Sequence, residues 1–259
     1  MNDPTTATPS LKGVVAMVLV DLKSTQSAWG WMRVVRGATA LNHEGLLFAK
    51  VMGSGHDGGF SLRPSATHQG LLCLFDCVSN ADKFFNSDWV QEYRVHSREF
   101  CHGLLAITDA RGSWDGQAWG PTPDEALQGQ YPDRYEGEPV AALTRASIKF
   151  SKAVTFWRYA PPAQESLLKA DGCLLAMGLG EAPMVRQCTM SVWRDTAAMD
   201  DYARQGAHQK AIQAAYRHDF FSESMFIRMR LLELHGQWKG QTLQHSSAVN
   251  SVNAGVAHV

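Results

Sequence analysis

The chain has 259 residues, and its 24 Lys and Arg against 25 Asp and Glu leave a formal charge of −1, which excludes a polybasic nucleic-acid surface. A hydrophobic share of 45% excludes a disordered chain, and five cysteines behind no secretory leader exclude a disulfide framework. The apolar run 14–20 falls well short of the ~20 residues that cross a bilayer, so a cytoplasmic protein is expected. In chain order, 13–22 reads as a strand, and a helix fits within 23–40. A second strand, 46–52, stops at Gly53 and Gly55, and 70–78 is a third. The helix expected over 79–94 has Ser79 and Asp82 spaced as a capping box, with Ala81, Phe84 and Phe85 on one buried face. Residues 102–108 close this half as a fourth strand.

The second half repeats the order. Residues 153–159 read as a strand ended by Pro161-Pro162, 164–170 as a short helix, and 173–177 and 187–193 as strands. A helical stretch covers 196–216, and 225–232 is the last strand. Gly112-Ser113-Trp114-Asp115-Gly116-Gln117 returns as Gly236-Gln237-Trp238-Lys239-Gly240-Gln241, and Met52-Gly53-Ser54-Gly55 returns as Met177-Gly178-Leu179-Gly180 at almost the same offset. A duplicated β-α-β-β-α-β unit follows. The predicted fold is α+β, with tandem ferredoxin-like repeats forming a pseudo-symmetric barrel of the dimeric α+β type. The first repeat spans 11–120 and the second 140–241, joined by a linker at 121–139 that holds four prolines. Residues 242–259 read as a disordered tail. Such an architecture places a cofactor cavity between sheet and helices.

One stretch of the second half stands out chemically. After Gly206 interrupts a helical pattern, His208 shares a face with Ala211, Ile212 and Ala215. An imidazole on a stripe of small apolar residues can face a cavity and ligate a metal, and its small neighbours leave room for a flat group such as haem. The plainer reading is a core or capping histidine. The matching stretch of the first half, near 88–90, has no His. Cys73 and Cys77, read within one strand, lie ~13 Å apart and cannot share an ion. Arg145, Lys149, Arg158 and Arg186 flank second-half strands, as surface charges or as forks for a carboxylate. Trp157, Trp193, Met225 and Phe226 read as core or as the lining of an apolar channel. His96 and His102 read as solvent-facing, and His43, His56 and His68 lie near loops without an evident partner. The carboxylates are scattered, and no P-loop, nucleophile elbow or dinucleotide fingerprint occurs.

Several stretches follow in order between 146 and 240. They are Ala146-Ser147-Ile148-Lys149, Phe156-Trp157-Arg158-Tyr159-Ala160-Pro161, Gly178-Leu179-Gly180-Glu181-Ala182-Pro183-Met184-Val185-Arg186-Gln187 and Ser191-Val192-Trp193. Met199-Asp200-Asp201-Tyr202-Ala203, Gly206-Ala207-His208-Gln209, Glu223-Ser224-Met225-Phe226 and Gly236-Gln237-Trp238-Lys239-Gly240 complete the series. In these the chain resembles the spheroidene monooxygenase family of carotenoid biosynthesis. The first half resembles it less, chiefly through Ser61-Leu62-Arg63-Pro64. The resemblance implies the same α+β barrel and a monooxygenase dependent on haem b iron. It implies oxidation of a carotenoid methylene to a ketone, with dioxygen and a ferredoxin-type electron donor. Carried onto the motifs, it makes His208 the proximal haem ligand, with Ala207, Ala211 and Ile212 around it. It makes Arg186 the contact to a haem propionate or to the distal side. An apolar substrate also implies transient access to a membrane. Three other readings stay open: haem-dependent peroxidase or dehydratase chemistry on a smaller substrate, a haem-binding protein without turnover, and an apo barrel that binds an apolar ligand with His208 structural.

Overall fold

The run VVAMVLVDL of β1 (Val14–Leu22) is buried along its whole length. A strand apolar on both faces needs a packed layer on each side. In the computed structural model, which describes residues 9–59, 61–132, 137–182, 184–204 and 206–249, β1 lies between β3 (Pro64–Phe75) and β4 (Ser97–Gly112), antiparallel to both. With β2 (Leu46–Gly55) beyond β3, the first repeat forms the sheet β4-β1-β3-β2. The second repeat forms β8-β5-β7-β6 from β5 (Val140–Ile148), β6 (Cys173–Ala182), β7 (Arg186–Trp193) and β8 (Phe221–Trp238). The two sheets join at both edges. β2 meets β6 at Gly53 opposite Gly180, and β4 pairs with β8 from Cys101–Gly236 to Gly112–Met225. An eight-stranded barrel results, as the duplication predicts.

The helices lie outside it. In the first repeat, α1 (Ser27–Arg36) packs on β2 and β3, while α2 (Val78–Phe85) and α3 (Asp88–His96) pack on β1, β3 and β4. The short α4 (Asp124–Leu127) lies in the linker, which is anchored: Ala126, Leu127 and Tyr131 are buried against the first repeat. In the second repeat, α5 (Ala153–Leu168) follows β5, and α6 (Thr196–Arg204) and α7 (Gly206–His218) follow β7.

Four expectations need correction. Residues 153–159 belong to helix α5, not to a strand, and Pro161 and Pro162 lie inside that helix. The true strand is 140–148, whose alternation is disguised by a charged residue, Arg145, at an inward position. The helix expected over 79–94 is two helices. Ser87 caps the second by accepting from the Val90 N–H, and Ser79 is not a cap. Cys77 lies beyond the end of β3, as the residue preceding α2. The tail starts later than 242, because Gln241–Ser246 forms β9, which pairs with β8 beyond the end of β5; residues 250–259 fall outside the described part.

Three apolar layers follow from strand alternation. The barrel interior is filled by side chains such as Val15, Met17, Leu19, Met177, Met190, Ile227 and Met229, as expected for eight strands. The outward face of the first sheet, with Val18, Val20, Leu71 and Phe75, is sealed by Phe84, Val90 and Tyr93 from α2 and α3. The outward face of the second sheet gathers a far smaller cluster: Leu167, Ala176, Trp193, Ala198 and Met199.

Candidate functional site

A filled barrel interior leaves the space between sheet and helices as the place for a ligand. The two repeats differ there. Where β1 and β3 turn Val18, Val20 and Leu71 outward, the equivalent places of β5 and β7 carry Thr144, Ala146 and Thr189. Ala142, Thr144 and Thr189 remain only half-buried, although their counterparts Ala16 and Val18 on β1 and Leu71 on β3 are fully covered. The helices differ in step. α3 packs directly on β1 and β4, whereas α7 makes its main contacts with α5 and α6 and has no comparable contact with any strand among the described residues. A shelf of small and hydroxyl-bearing residues thus faces a helix that stands away from it. α7 carries Ala207, His208, Ala211 and Ile212; their backbone is helical, and their side chains lie outside the described part. Among the described residues no three His, Cys, Asp or Glu side chains converge on a metal site. A haem asks for less, since its ring supplies the equatorial ligands and the protein only an axial one.

Arg186 is not in this gap. It begins β7 with the same parity as the inward Cys188 and Met190, and so reaches the barrel mouth. There its guanidinium lies 3.6 Å from Asp115 and 3.7 Å from Glu181. Its place is in an ion network that the sequence reading missed. At the network's centre is Arg145, which the sequence left open as a surface charge or a fork for a carboxylate, and which is fully buried. It bonds Glu181 at 3.2 Å, Asp115 at 3.4 Å and Glu223. Lys50 pairs with Asp115 and, at 3.1 Å, with Glu181. Three cations meet three carboxylates, which is the condition for keeping a buried guanidinium charged. Trp114 covers the network and donates its indole N–H to Glu181 at 2.9 Å. Burial pushes the Glu223 carboxyl up, but hydrogen bonds from the Gly116 N–H, the Ser113 hydroxyl and Arg145 outweigh that and hold it below the usual range. Each member of this cluster is engaged by another, so it closes the barrel mouth. The signal that could have revealed it is the inward parity of Arg145 on β5.

The other sequence candidates separate as follows. Lys149 pairs with Asp219, and Arg158 is exposed on α5. Trp193 and Met225 are core, Trp157 donates to the Met184 carbonyl at 3.0 Å, and Phe226 points outward and is 45% exposed. His102 is not solvent-facing. It packs between Phe85 and Phe100 beside His235, with Nδ1 buried and unbonded. His68 has partners after all. Its Nδ1 meets the Ser65 hydroxyl at 2.9 Å and lies 3.6 Å from Asp21, which Arg98 holds at 2.6 Å. Ser65, His68 and Arg98 line a cavity of ≈ 240 Å³ with His56, Arg63 and Thr67. Serine and aspartate address the same ring nitrogen, so no nucleophile–base–acid relay is formed.

Comparison with known proteins adds three findings. The chain is 51% identical over 230 residues to a spheroidene monooxygenase of Rubrivivax gelatinosus, covering 88% of this chain and 86% of that one. It is 34% identical over 232 residues to a spheroidene monooxygenase of Rhodobacter capsulatus, covering 88% and 94%. A crystal structure of aldoxime dehydratase superimposes with a TM-score of 0.52 at 9% identity over 84% of this chain and 81% of that one, a likeness of fold alone. No protein-family model matches the chain.

Proposed function

The chain belongs to the spheroidene monooxygenase family, and from that premise we propose that it is a haem-dependent monooxygenase that oxidises a methylene of a carotenoid to a ketone. The observation that carries the haem reading is the gap between α7, which bears His208 in its first turn, and the shelf of Ala142, Thr144, Thr189 and Ser191. When bound there, haem would supply dioxygen activation: each of two oxygen insertions at one carbon takes up a dioxygen, two electrons and two protons, releases a water, and the resulting gem-diol loses water to the ketone.

The chain's own residues contribute the rest. His208, near the start of α7, would hold the iron, with Ala207, Ala211 and Ile212 as its neighbours along the helix. The small outward residues of β5 and β7 admit that ring where bulky ones would exclude it. Thr144 and Thr189 bring half-buried hydroxyls to this sheet face beside Ala142 and Ala146, and these can donate a hydrogen bond or relay a proton there. The half-exposed Phe226 offers an apolar contact to a polyene. Electrons come from a ferredoxin-type protein in this reading.

The test is an absorption spectrum of protein purified from haem-supplemented cells, with and without dithionite and carbon monoxide. A Soret band that moves to a histidine-type ferrous–CO position is expected in the wild type and lost in His208→Ala. A wild type without a Soret band at full haem supply refutes the haem reading. A His208→Ala variant that keeps the band refutes the ligand.

A further inference from the structure

Helix α1 packs Trp29, Gly30 and Val34 inward but is apolar on its outward side as well. Its outward arc carries Ala28, Trp31, Met32 and Val35, of which Trp31 is 54% and Val35 70% exposed. Spacings of three and four residues put these on one face. Single exposed apolar residues are ordinary, but an aromatic-bearing stripe on one helix is not. The equivalent corner of the second repeat, where β5 leads into α5, repeats the feature: Phe150 is 88% and Val154 67% exposed. Charge is also one-sided at both corners. No Asp or Glu occurs from 22 to 43 or from 139 to 164, in a chain that holds 25 of them. The exposed Arg36, Lys152 and Arg158 enter no ion pair among the described residues. The two corners share one side of the barrel, because α1 packs on β2, α5 packs on β6, and β2 meets β6 at Gly53 and Gly180.

We propose that this side docks on an anionic lipid bilayer, with Trp31, Met32, Val35, Phe150 and Val154 entering the interface and Arg36, Lys152 and Arg158 facing lipid headgroups. Carboxylates reach these corners only from other segments, Glu92 pairing with Arg33 and Asp219 with Lys149, and aromatic and aliphatic anchors beside the exposed Arg36, Lys152 and Arg158 complement a negatively charged membrane surface. Among the described residues no helix is long and apolar enough to cross a membrane, so attachment through this side is peripheral. The inference deepens the carotenoid reading, and rests on it for its purpose, since such a substrate is itself dissolved in lipid.

The experiment is flotation of the full-length protein with phosphatidylcholine vesicles, with and without phosphatidylglycerol, together with its molar mass in solution. The wild type is expected to float with the anionic vesicles and to be released by salt. Trp31→Ser and Phe150→Ser should each weaken partitioning about tenfold, and the paired Arg36→Glu and Lys152→Glu should abolish it, with unfolding curves unchanged because all four side chains are exposed. Absence of flotation at low salt overturns the proposal. So does flotation that both apolar variants retain, or a dimer that Trp31→Ser converts to monomer, which assigns the face to a second copy. Flotation needs neither haem nor turnover, so a missing Soret band with intact vesicle binding removes the oxygenase reading and leaves the docking surface.

Discussion

Glu99 and Glu223 occupy equivalent strands of the two repeats, and each holds the hairpin of the other repeat. Glu99 on β4 accepts from the backbone N–H of Lys239 at 2.9 Å and Gly240 at 2.6 Å. Glu223 on β8 accepts from the Gly116 N–H at 2.8 Å and the Ser113 hydroxyl at 2.9 Å. Both hairpins have two central residues of positive φ, Asp115–Gly116 and Lys239–Gly240, as type I′ turns do. The carboxylates therefore tie the repeats together at the β4–β8 seam.

The two are unequal in what else they hold. Glu99→Gln loses the charge and one of the two hydrogen bonds of a hairpin clasp, since an amide nitrogen cannot accept, and should cost about 1 kcal/mol. Glu223→Gln also removes a charged partner of the fully buried Arg145, and should cost about 2–3 kcal/mol. Since Glu223 lies below its ordinary pKa when folded, its contribution is complete above the unfolded value and lost as pH falls through the lower folded one. Urea unfolding at neutral and acid pH checks both statements: the gap between wild type and Glu223→Gln should narrow in acid.

Gly112 and Gly236 precede the two hairpins, and each takes positive φ, 88° and 127°. A Cβ on Gly112 would run into the Ser224 carbonyl, and one on Gly236 into that of Phe100. These obstacles are backbone atoms of the paired strand and cannot swing away. Gly112→Ala and Gly236→Ala should each destabilise by about 3 kcal/mol or more, whereas Gly116→Ala, with open space around it, should cost less. Thermal melts of the three variants measure the ranking.

The repeated glycine–tryptophan motif was legible because it encodes backbone geometry that few residues satisfy. Strands β1, β3 and β7 were legible because hydrophobicity marks them directly. β5 was not, since the strand carries a charge inward that only distant residues neutralise: Asp115, Glu181 and Glu223 arrive from three other segments. α5 was misread because a proline pair ordinarily stops an element, and here the helix continues through it. The candidate histidine could be found from spacing on α7, but the gap beneath it could not. That gap depends on how far a helix stands from a sheet, which no local pattern records.

His102 gives a test by pH. Burial, with Arg94 and His235 nearby, lowers its pKa from 6.5 to about 4. A histidine kept neutral in the fold but free to protonate when unfolded supports stability above the unfolded pKa, and that support is lost as pH falls from about 6.5 toward 4. Replacing it with Phe should leave the melting temperature at neutral pH nearly unchanged, because three aromatic rings already surround the site. It should flatten the loss between pH 6.5 and 4. A mutant with the same acid sensitivity as the wild type would assign that sensitivity elsewhere.

Ala16 and Ala142 are outward residues at equivalent places on β1 and β5, and they separate a sealed face from an open one. Ala16 is fully covered, with Val78, Ala81 and Phe84 in the same cluster. Ala142 is half-buried at the edge of the small outer cluster of the second repeat. Ala16→Phe has nowhere to put its ring and should lose about 1–3 kcal/mol by overpacking. Ala142→Phe should fold as well as the wild type, since its ring can enter the gap beneath α7. In doing so it occupies the space proposed for haem. Haem titration of the apo-protein should therefore give the wild type one equivalent and Ala142→Phe a severalfold lower occupancy, while Ala16→Phe, where it folds, keeps full occupancy. Equal destabilisation by the two substitutions would mean that the second face is as closed as the first, and the gap would then hold no flat ligand.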